Sequence, residues 1–224
     1  MDLSNLSEIL TTCWPAGIAA LACTLLADHW INYLYSKERK SDLLSFPEQL
    51  TQRARIRKPL MILALMLGFS KASSLTSGLH LGYLCVAIAL LTLVTVTDLE
   101  QYVIFDATLL PLAVCGICYT LYLQLPLTEH LTAGFGGGLL FFVLALLTKG
   151  AIGGGDIKLI ATLGLWLGIK ALLTVIMYGA IAGGVVATLL LLLKMTTRKQ
   201  FLAYGPYFAL SAIGVLLKLL RVSF

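Results

Sequence analysis

After position 60, the side chains best suited to catalysis are the carboxylates. There are five of them: Asp98, Glu100, Asp106, Glu129 and Asp156. Acidic side chains at or near membrane depth are costly, so they point to function. Two facing carboxylates suggest aspartic proteolysis, in which an ionised carboxylate takes a proton from water and a protonated one hydrogen-bonds the scissile carbonyl. Asp98 follows a long apolar run and Asp156 follows three glycines, which makes them the candidate pair.

The surroundings of Asp156 suit such a pair. Gly153 to Gly155 permit unusual backbone angles and close approach of another backbone. A helix beginning near Asp156 would aim amide N–H groups at the carboxylate. A close pair also tends to share one proton, because two adjacent negative charges repel. The alternative is that Asp98 and Asp156 are ordinary helix-end residues, since Asp is a common N-cap.

The composition decides what kind of structure must position these side chains. Of 224 residues, 59% are hydrophobic and 12% charged, against ~25% charged in a globular domain. This excludes a soluble enzyme, a nucleic-acid-binding protein and a disordered chain. Apolar runs lie at 9–27, 59–77, 79–97, 104–125, 131–148, 157–169, 171–193 and 201–217.

Long runs without alternation favour helices over a barrel. We therefore predict an all-α polytopic transmembrane helical bundle of about eight spans, forming a single membrane-embedded domain over residues 1–224. The short sixth run is either a separate helix or one bent element with the seventh. Glycine-rich patches around 134–138 and 183–184 are predicted to let helices approach closely.

Charge predicts the orientation. Segment 28–58 is rich in Lys and Arg, and the positive-inside rule makes it a basic cytoplasmic loop. With eight spans, twelve of the sixteen Lys and Arg residues fall on the cytoplasmic side. The other cytoplasmic segments are then 98–103, 149–156 and 194–200. Asp98 and Asp156 are therefore predicted on the same side at similar depth.

Structural roles are predicted for the other residue types that could take part in chemistry. The five cysteines lie in apolar stretches, and the single CxxC pair, Cys115 and Cys118, is predicted to pack rather than to bind metal. The histidines are too scattered for a ligand set and are predicted to be solvated or interfacial: His29, His80 and His130. Interfacial anchoring is predicted for Trp14, Trp30, Tyr33 and Tyr35.

Two motifs resemble those of a known family. Gly153–Leu159, GGGDIKL, resembles the GxGDxKL signature of type IV prepilin peptidases, and 98–106 resembles their other signature, an Asp followed eight residues later by Pro-Asp. The segment 204–210 resembles the family's Phe-Gly-Pro segment. The resemblance covers about residues 80–215, and the matched spacing of both Asp motifs makes it specific.

The resemblance implies a function. Such peptidases cleave the short basic leader of type IV prepilins or pseudopilins after a Gly, at the cytoplasmic face of the bacterial inner membrane. Carried over, Asp98 and Asp156 are the catalytic pair. The implied substrate-positioning residues are Asp106, Gly153, Gly155 and Lys158. The implied partners are prepilin or pseudopilin substrates and the lipid bilayer, with no nucleic acid.

The chain departs from the family at two places. Phe105 stands where the family usually has Pro, which is expected to alter the turn into the fourth span. Segment 28–58 has no cysteine, whereas many members carry two CxxC pairs there that bind zinc. No metal is therefore predicted, and the peptidase chemistry is predicted to need no cofactor. S-adenosylmethionine is implied only if the chain also methylates the new N-terminus.

Two other functions stay open at this point. Presenilin-like intramembrane proteases share GxGD, but they carry Tyr-Asp in a helix, and Thr97 precedes Asp98 here. A transporter or secretion-machine subunit is the reading from outside enzymology. A transporter is expected to place charged or broken-helix sites near the midplane, whereas the acidic residues here gather at one face.

Overall fold

The computed structural model describes residues 3–38, 44, 50–149, 152–193 and 203–222. These residues form helices and no strand, so the predicted all-α class is confirmed. The helices are α1 (Leu3–Glu38), α2 (Leu50–Ser73), α3 (Gly78–Gln101), α4 (Asp106–Tyr122), α5 (Leu127–Leu147), α6 (Gly154–Leu192) and α7 (Gly205–Val222).

Their composition is that of helices in lipid. Within the described ranges, three helices are long and apolar enough to cross a membrane: α3, α5 and α6. Large apolar side chains cover the outside of the bundle, as at Leu26, Leu147 and Leu192, where a soluble protein would carry charge. The eight apolar runs correspond to seven helices, and a count of eight spans is not established by helix length.

The sixth and seventh apolar runs both lie in α6, in which two helices meet at a break at Gly168. Its φ of 69° is a left-handed conformation that interrupts the helix, and glycine adopts it without a Cβ clash. The carbonyl of Leu165, one turn earlier, accepts a hydrogen bond from His130 Nδ1 at 3.0 Å, and Thr120 Oγ1 lies 3.1 Å from it. His130 is buried, so of the two predicted alternatives, solvated or interfacial, the solvated one is wrong, and an interfacial location stays a prediction.

Glycines bring α5, α6 and α7 together. A Cβ on Gly164 of α6 would lie 2.4 Å from the backbone nitrogen of Gly134 in α5, so the two backbones touch. A Cβ on Gly183 of α6 would lie 2.8 Å from the Tyr204 ring, beside the start of α7. The predicted close approach is confirmed at these positions, whereas Gly136 and Gly184 face open space.

Two helices form the centre of the bundle. α3 packs against α2, α4 and α7, and α6 packs against α4, α5 and α7. Leu91 and Val94 of α3 join Leu159 and Leu163 of α6 in one buried apolar cluster. Because α4 and α7 contact both central helices, the C-terminal end of α3 and the N-terminal end of α6 are placed side by side.

Helices also extend into the basic segment 28–58. α1 continues to Glu38 and α2 begins at Leu50. Residues 39–43 and 45–49 lie outside the described part of the chain, as do 194–200 of the third predicted cytoplasmic loop. The orientation relative to a membrane stays a prediction.

Candidate active site

Asp98 lies in the last turn of α3. The helix ends because Tyr102 adopts a left-handed conformation (φ 55°) and returns its N–H to the Asp98 carbonyl at 2.9 Å. Asp98 itself is 6% exposed. The run of buried α3 residues from Leu91 to Asp98 thus places a carboxylate at the edge of an apolar core.

Asp156 lies in the first turn of α6. Gly153 is the N-cap, and its backbone N–H donates a hydrogen bond to the Asp156 carboxylate. This is the carboxylate half of a capping box, in which the third helical residue reaches back to the N-cap amide. Gly153 has ordinary extended angles, φ −68° and ψ 144°. Unusual backbone angles are therefore not the reason for glycine there.

The fold brings the two predicted aspartates together. Their carboxyl groups are close enough to interact electrostatically. Ile104, in the link between α3 and α4, packs against two glycines next to the pair: a Cβ on Gly155 would lie 3.0 Å from Ile104 Cβ, and one on Gly205 would lie 3.0 Å from Ile104 Cδ1. Each aspartate also keeps one buried oxygen without a hydrogen-bond partner among the described residues, Oδ2 of Asp98 and Oδ1 of Asp156.

A third element, the start of α7, also borders this site, although the sequence analysis assigned Gly205 no individual role. Gly205 begins α7 and presents its backbone N–H to the Asp98 carboxyl group. A Cβ there would lie 2.6 Å from Asp98 Oδ2, so no side chain fits without displacement. The signal that pointed to it was the glycine in the 204–210 segment, directly before Pro206.

Asp106 and Lys158 contact each other but are not part of the Asp98–Asp156 pair. The Lys158 ammonium donates to both oxygens of Asp106, at 2.8 Å and 2.7 Å. Both side chains are more than half exposed, 58% for Lys158 and 61% for Asp106. A groove of about 310 Å³ between α4 and α6 runs beside them, lined also by Leu109 and Thr162.

Phe105 does not disrupt the turn into α4. It is the N-cap of α4 with φ −80° and ψ 133°, angles that a proline also adopts. The ring is buried and lies 5.9 Å, centroid to centroid, from Tyr35 of α1. The backbone angles at Phe105 are thus compatible with the proline that the family usually carries, and an alteration of the turn relative to other members stays a prediction.

A buried polar cluster behind α3 escaped sequence reasoning. Arg57 of α2 forms ion pairs with Asp28 of α1 and with Glu100 of α3. Tyr35 also belongs to it, so its predicted role as an interfacial anchor is wrong: the ring is 3% exposed and the hydroxyl donates to Glu100. Arg57 lies among several other Lys and Arg residues in the basic segment. No local sequence pattern therefore distinguished it from them.

The geometry is that of a helical bundle with a carboxyl pair in which Asp98 is buried and Asp156 is half-buried, and comparisons with known proteins show which family it resembles. Residues 85–188 match the Type IV leader peptidase family. A "Prepilin leader peptidase/N-methyltransferase" of Aeromonas salmonicida is 32% identical over 164 residues, 69% of this chain and 56% of that protein. One of the same name from Pectobacterium carotovorum is 29% identical over 169 residues, 72% of this chain and 61% of that protein.

The region 85–188 of this chain is thus similar to the type IV leader peptidase family. It contains both aspartates, Ile104 and the Asp106–Lys158 pair. The chain spans about three-fifths or less of the length of these relatives. No solved structure gives a significant match.

Proposed function

We propose that this chain is an aspartic endopeptidase that removes the short basic leader of type IV prepilins or pseudopilins at the cytoplasmic face of the bacterial inner membrane. The observation that carries the proposal is the juxtaposition of Asp98 and Asp156 at the adjoining ends of α3 and α6. In this mechanism, one carboxylate removes a proton from water as the water attacks the scissile carbonyl. The other carboxyl group hydrogen-bonds the carbonyl oxygen. The tetrahedral intermediate then collapses, the C–N bond breaks, and the proton taken from water passes to the leaving amine.

The helix ends favour different roles for the two residues. A helix N-terminus stabilises negative charge and a C-terminus disfavours it. Asp156 lies in the first turn of α6 and accepts the Gly153 N–H, which suits the ionised base. Asp98 lies in the last turn of α3, which suits the protonated partner. The two aspartates assist this hydrolysis by proton transfer and hydrogen bonding alone, so we propose that it needs no metal or other cofactor.

The exposed pair suits substrate positioning. Asp106 is held by Lys158 at the mouth of the α4–α6 groove. A basic leader residue would compete with Lys158 for the Asp106 carboxylate at little cost, because exposed ion pairs are weak. Gly153 and Gly155 are proposed to help substrate positioning because they place no side chain beside Asp156. Gly155 packs directly on Ile104.

The alternatives have less support. The break in α6 is the kind of feature that a transporter uses, but the Leu165 carbonyl before it is already hydrogen-bonded by His130 and Thr120. A presenilin-like protease would use the same two aspartates on other membrane substrates. The prepilin reading is favoured because the relatives named above carry "prepilin leader peptidase" in their names.

The test is co-expression with candidate prepilins, followed by mass spectrometry of the pilin N-terminus. Leader loss after a Gly with the wild type, and none with the double variant Asp98→Asn/Asp156→Asn, is the expected result. Intact leaders on every prepilin offered, from a correctly inserted protein, would overturn the proposal. The same spectrum reports whether the new N-terminus is methylated, which would implicate S-adenosylmethionine. Purified protein should cleave equally with and without a strong chelator.

A further inference from the structure

The polar cluster behind α3 has no role in the chemistry proposed above. Its members come from three helices: Asp28, Asn32 and Tyr35 of α1, Arg57 and Lys58 of α2, and Glu100 of α3. Arg57 is 3% exposed, and one of its terminal nitrogens bonds both Asp28 and Asn32, the latter at 2.8 Å. The other terminal nitrogen reaches Glu100 at 3.3 Å. Lys58 adds a second positive charge to the cluster, because its ammonium lies 3.3 Å from Asp28 Oδ2.

Such a cluster is unusual as a device for stability. Replacing a buried ion pair by apolar residues of similar volume is often neutral or stabilising, because burying charge costs desolvation. Arg57 and Glu100 are buried in a chain whose other helix contacts are mainly apolar. A role in fixing geometry explains the cluster better than a role in adding stability.

The position of Glu100 says which geometry is held. Two positions along a helix correspond to a rotation of about 200° about its axis, so residues two apart lie on roughly opposite faces. Asp98 faces α6 and α7, where Asp156 and Gly205 lie. Glu100 faces the opposite way, towards α1 and α2, where Tyr35 donates to it at 2.9 Å and Arg57 pairs with it. The last turn of α3 thus makes contacts with α1 and α2 on one side and with α7 on the other.

We infer that Arg57 and Glu100 are positioning residues, which clamp the last turn of α3 so that Asp98 is held in register with Asp156. The inference rests on the proposed function, because Asp98 matters only if it is catalytic. A displacement of about 1 Å at a catalytic group costs up to 10²-fold in rate. An ion pair with a planar, forked guanidinium fixes direction better than apolar packing does.

The test is a double-mutant cycle of Arg57→Gln and Glu100→Gln on leader cleavage, with kcat and KM separated and scaled to folded protein. We expect each single variant to lower kcat at least fivefold with KM within twofold. The double variant should fall no further than the worse single one, because both act through one contact. Multiplying losses, or an unchanged kcat, would overturn the inference. Tyr35→Phe removes only one hydroxyl and serves if the charge variants do not fold, with a smaller loss of kcat expected.

The matched control is Thr120→Val, which removes a buried polar contact far from the pair, beside Leu165. It should lower the melting temperature without changing kcat. Hydrogen exchange of a peptide over 98–105 gives a readout independent of cleavage. Faster exchange there in both charge variants, but not in Thr120→Val, is expected, and unchanged exchange would overturn the clamp. If the wild type cleaves nothing, the proposed function fails while exchange still decides the clamp.

Discussion

Gly205 at the start of α7 lies directly against the carboxyl group of Asp98, so close that a Cβ would be 2.6 Å from Oδ2. No real Cβ tolerates that approach. A third helix therefore limits where Asp98 can lie, in addition to α3 itself and the opposing end of α6.

Gly205→Ala is expected to reduce leader cleavage roughly tenfold to hundredfold, because the methyl group must push Asp98 or Ile104 away and misplace the carboxylate. The control is Gly214→Ala in the same helix, where a Cβ meets nothing within 4 Å. Initial cleavage rates of both purified variants measure this. Equal rates for the two alanines would remove Gly205 from the site.

Asp98→Asn and Asp156→Asn are each expected to lower kcat by about 10²–10⁴-fold, the usual contribution of general acid–base groups. Asp98→Asn should keep about ten times more activity than Asp156→Asn, because an Asn amide can still donate to the carbonyl oxygen but cannot accept a proton from water. Single-turnover cleavage at matched protein levels measures both. The reverse order would exchange the two roles.

Asp106→Asn is expected to raise KM several-fold and leave kcat within about threefold, because the side chain is exposed and paired with Lys158 rather than with the dyad. Its effect on stability should stay below about 1 kcal/mol, as for exposed ion pairs. Cleavage kinetics and a melting curve in detergent measure the two effects. A loss of kcat as large as that of Asp156→Asn would place Asp106 in the chemistry.

Gly164→Ala is expected to destabilise the bundle by about 1–3 kcal/mol, the usual cost of overpacking. The new Cβ would lie 2.4 Å from the Gly134 nitrogen and 2.5 Å from its Cα, and backbone cannot yield as a side chain does. Gly136→Ala, which faces open space, is the control. Thermal unfolding in detergent compares them, and equal midpoints would mean that α5 and α6 are less tightly packed.

Cysteines at Lys58 and Lys149 are expected to react with a membrane-impermeant reagent from the cytoplasmic side, and a cysteine at Lys71 from the opposite side. The reason is the excess of Lys and Arg in the segments that carry the first two positions. Labelling in intact cells and in inverted vesicles measures sidedness. Labelling of positions 58 and 149 from opposite sides would contradict the proposed placing of both aspartates at the cytoplasmic face.

The sequence by itself determined the helical class and the candidate pair. Apolar runs and the absence of alternation are local properties of the chain, so they predict helices without knowledge of packing. Asp98 and Asp156 each stand at the end of an apolar run. Their placement on one side of the bundle follows from counting runs between them, which does not depend on how the helices rotate.

Only the tertiary structure decided which side chains meet. The rotation of each helix about its axis is set by packing against its neighbours, and this made Glu100 a partner of Arg57 while Asp98 turned the other way. Tyr35 and His130 became buried because cross-helix acceptors, Glu100 and the Leu165 carbonyl, were there to bond them. Such pairings join residues up to 65 positions apart, and no local pattern contains them.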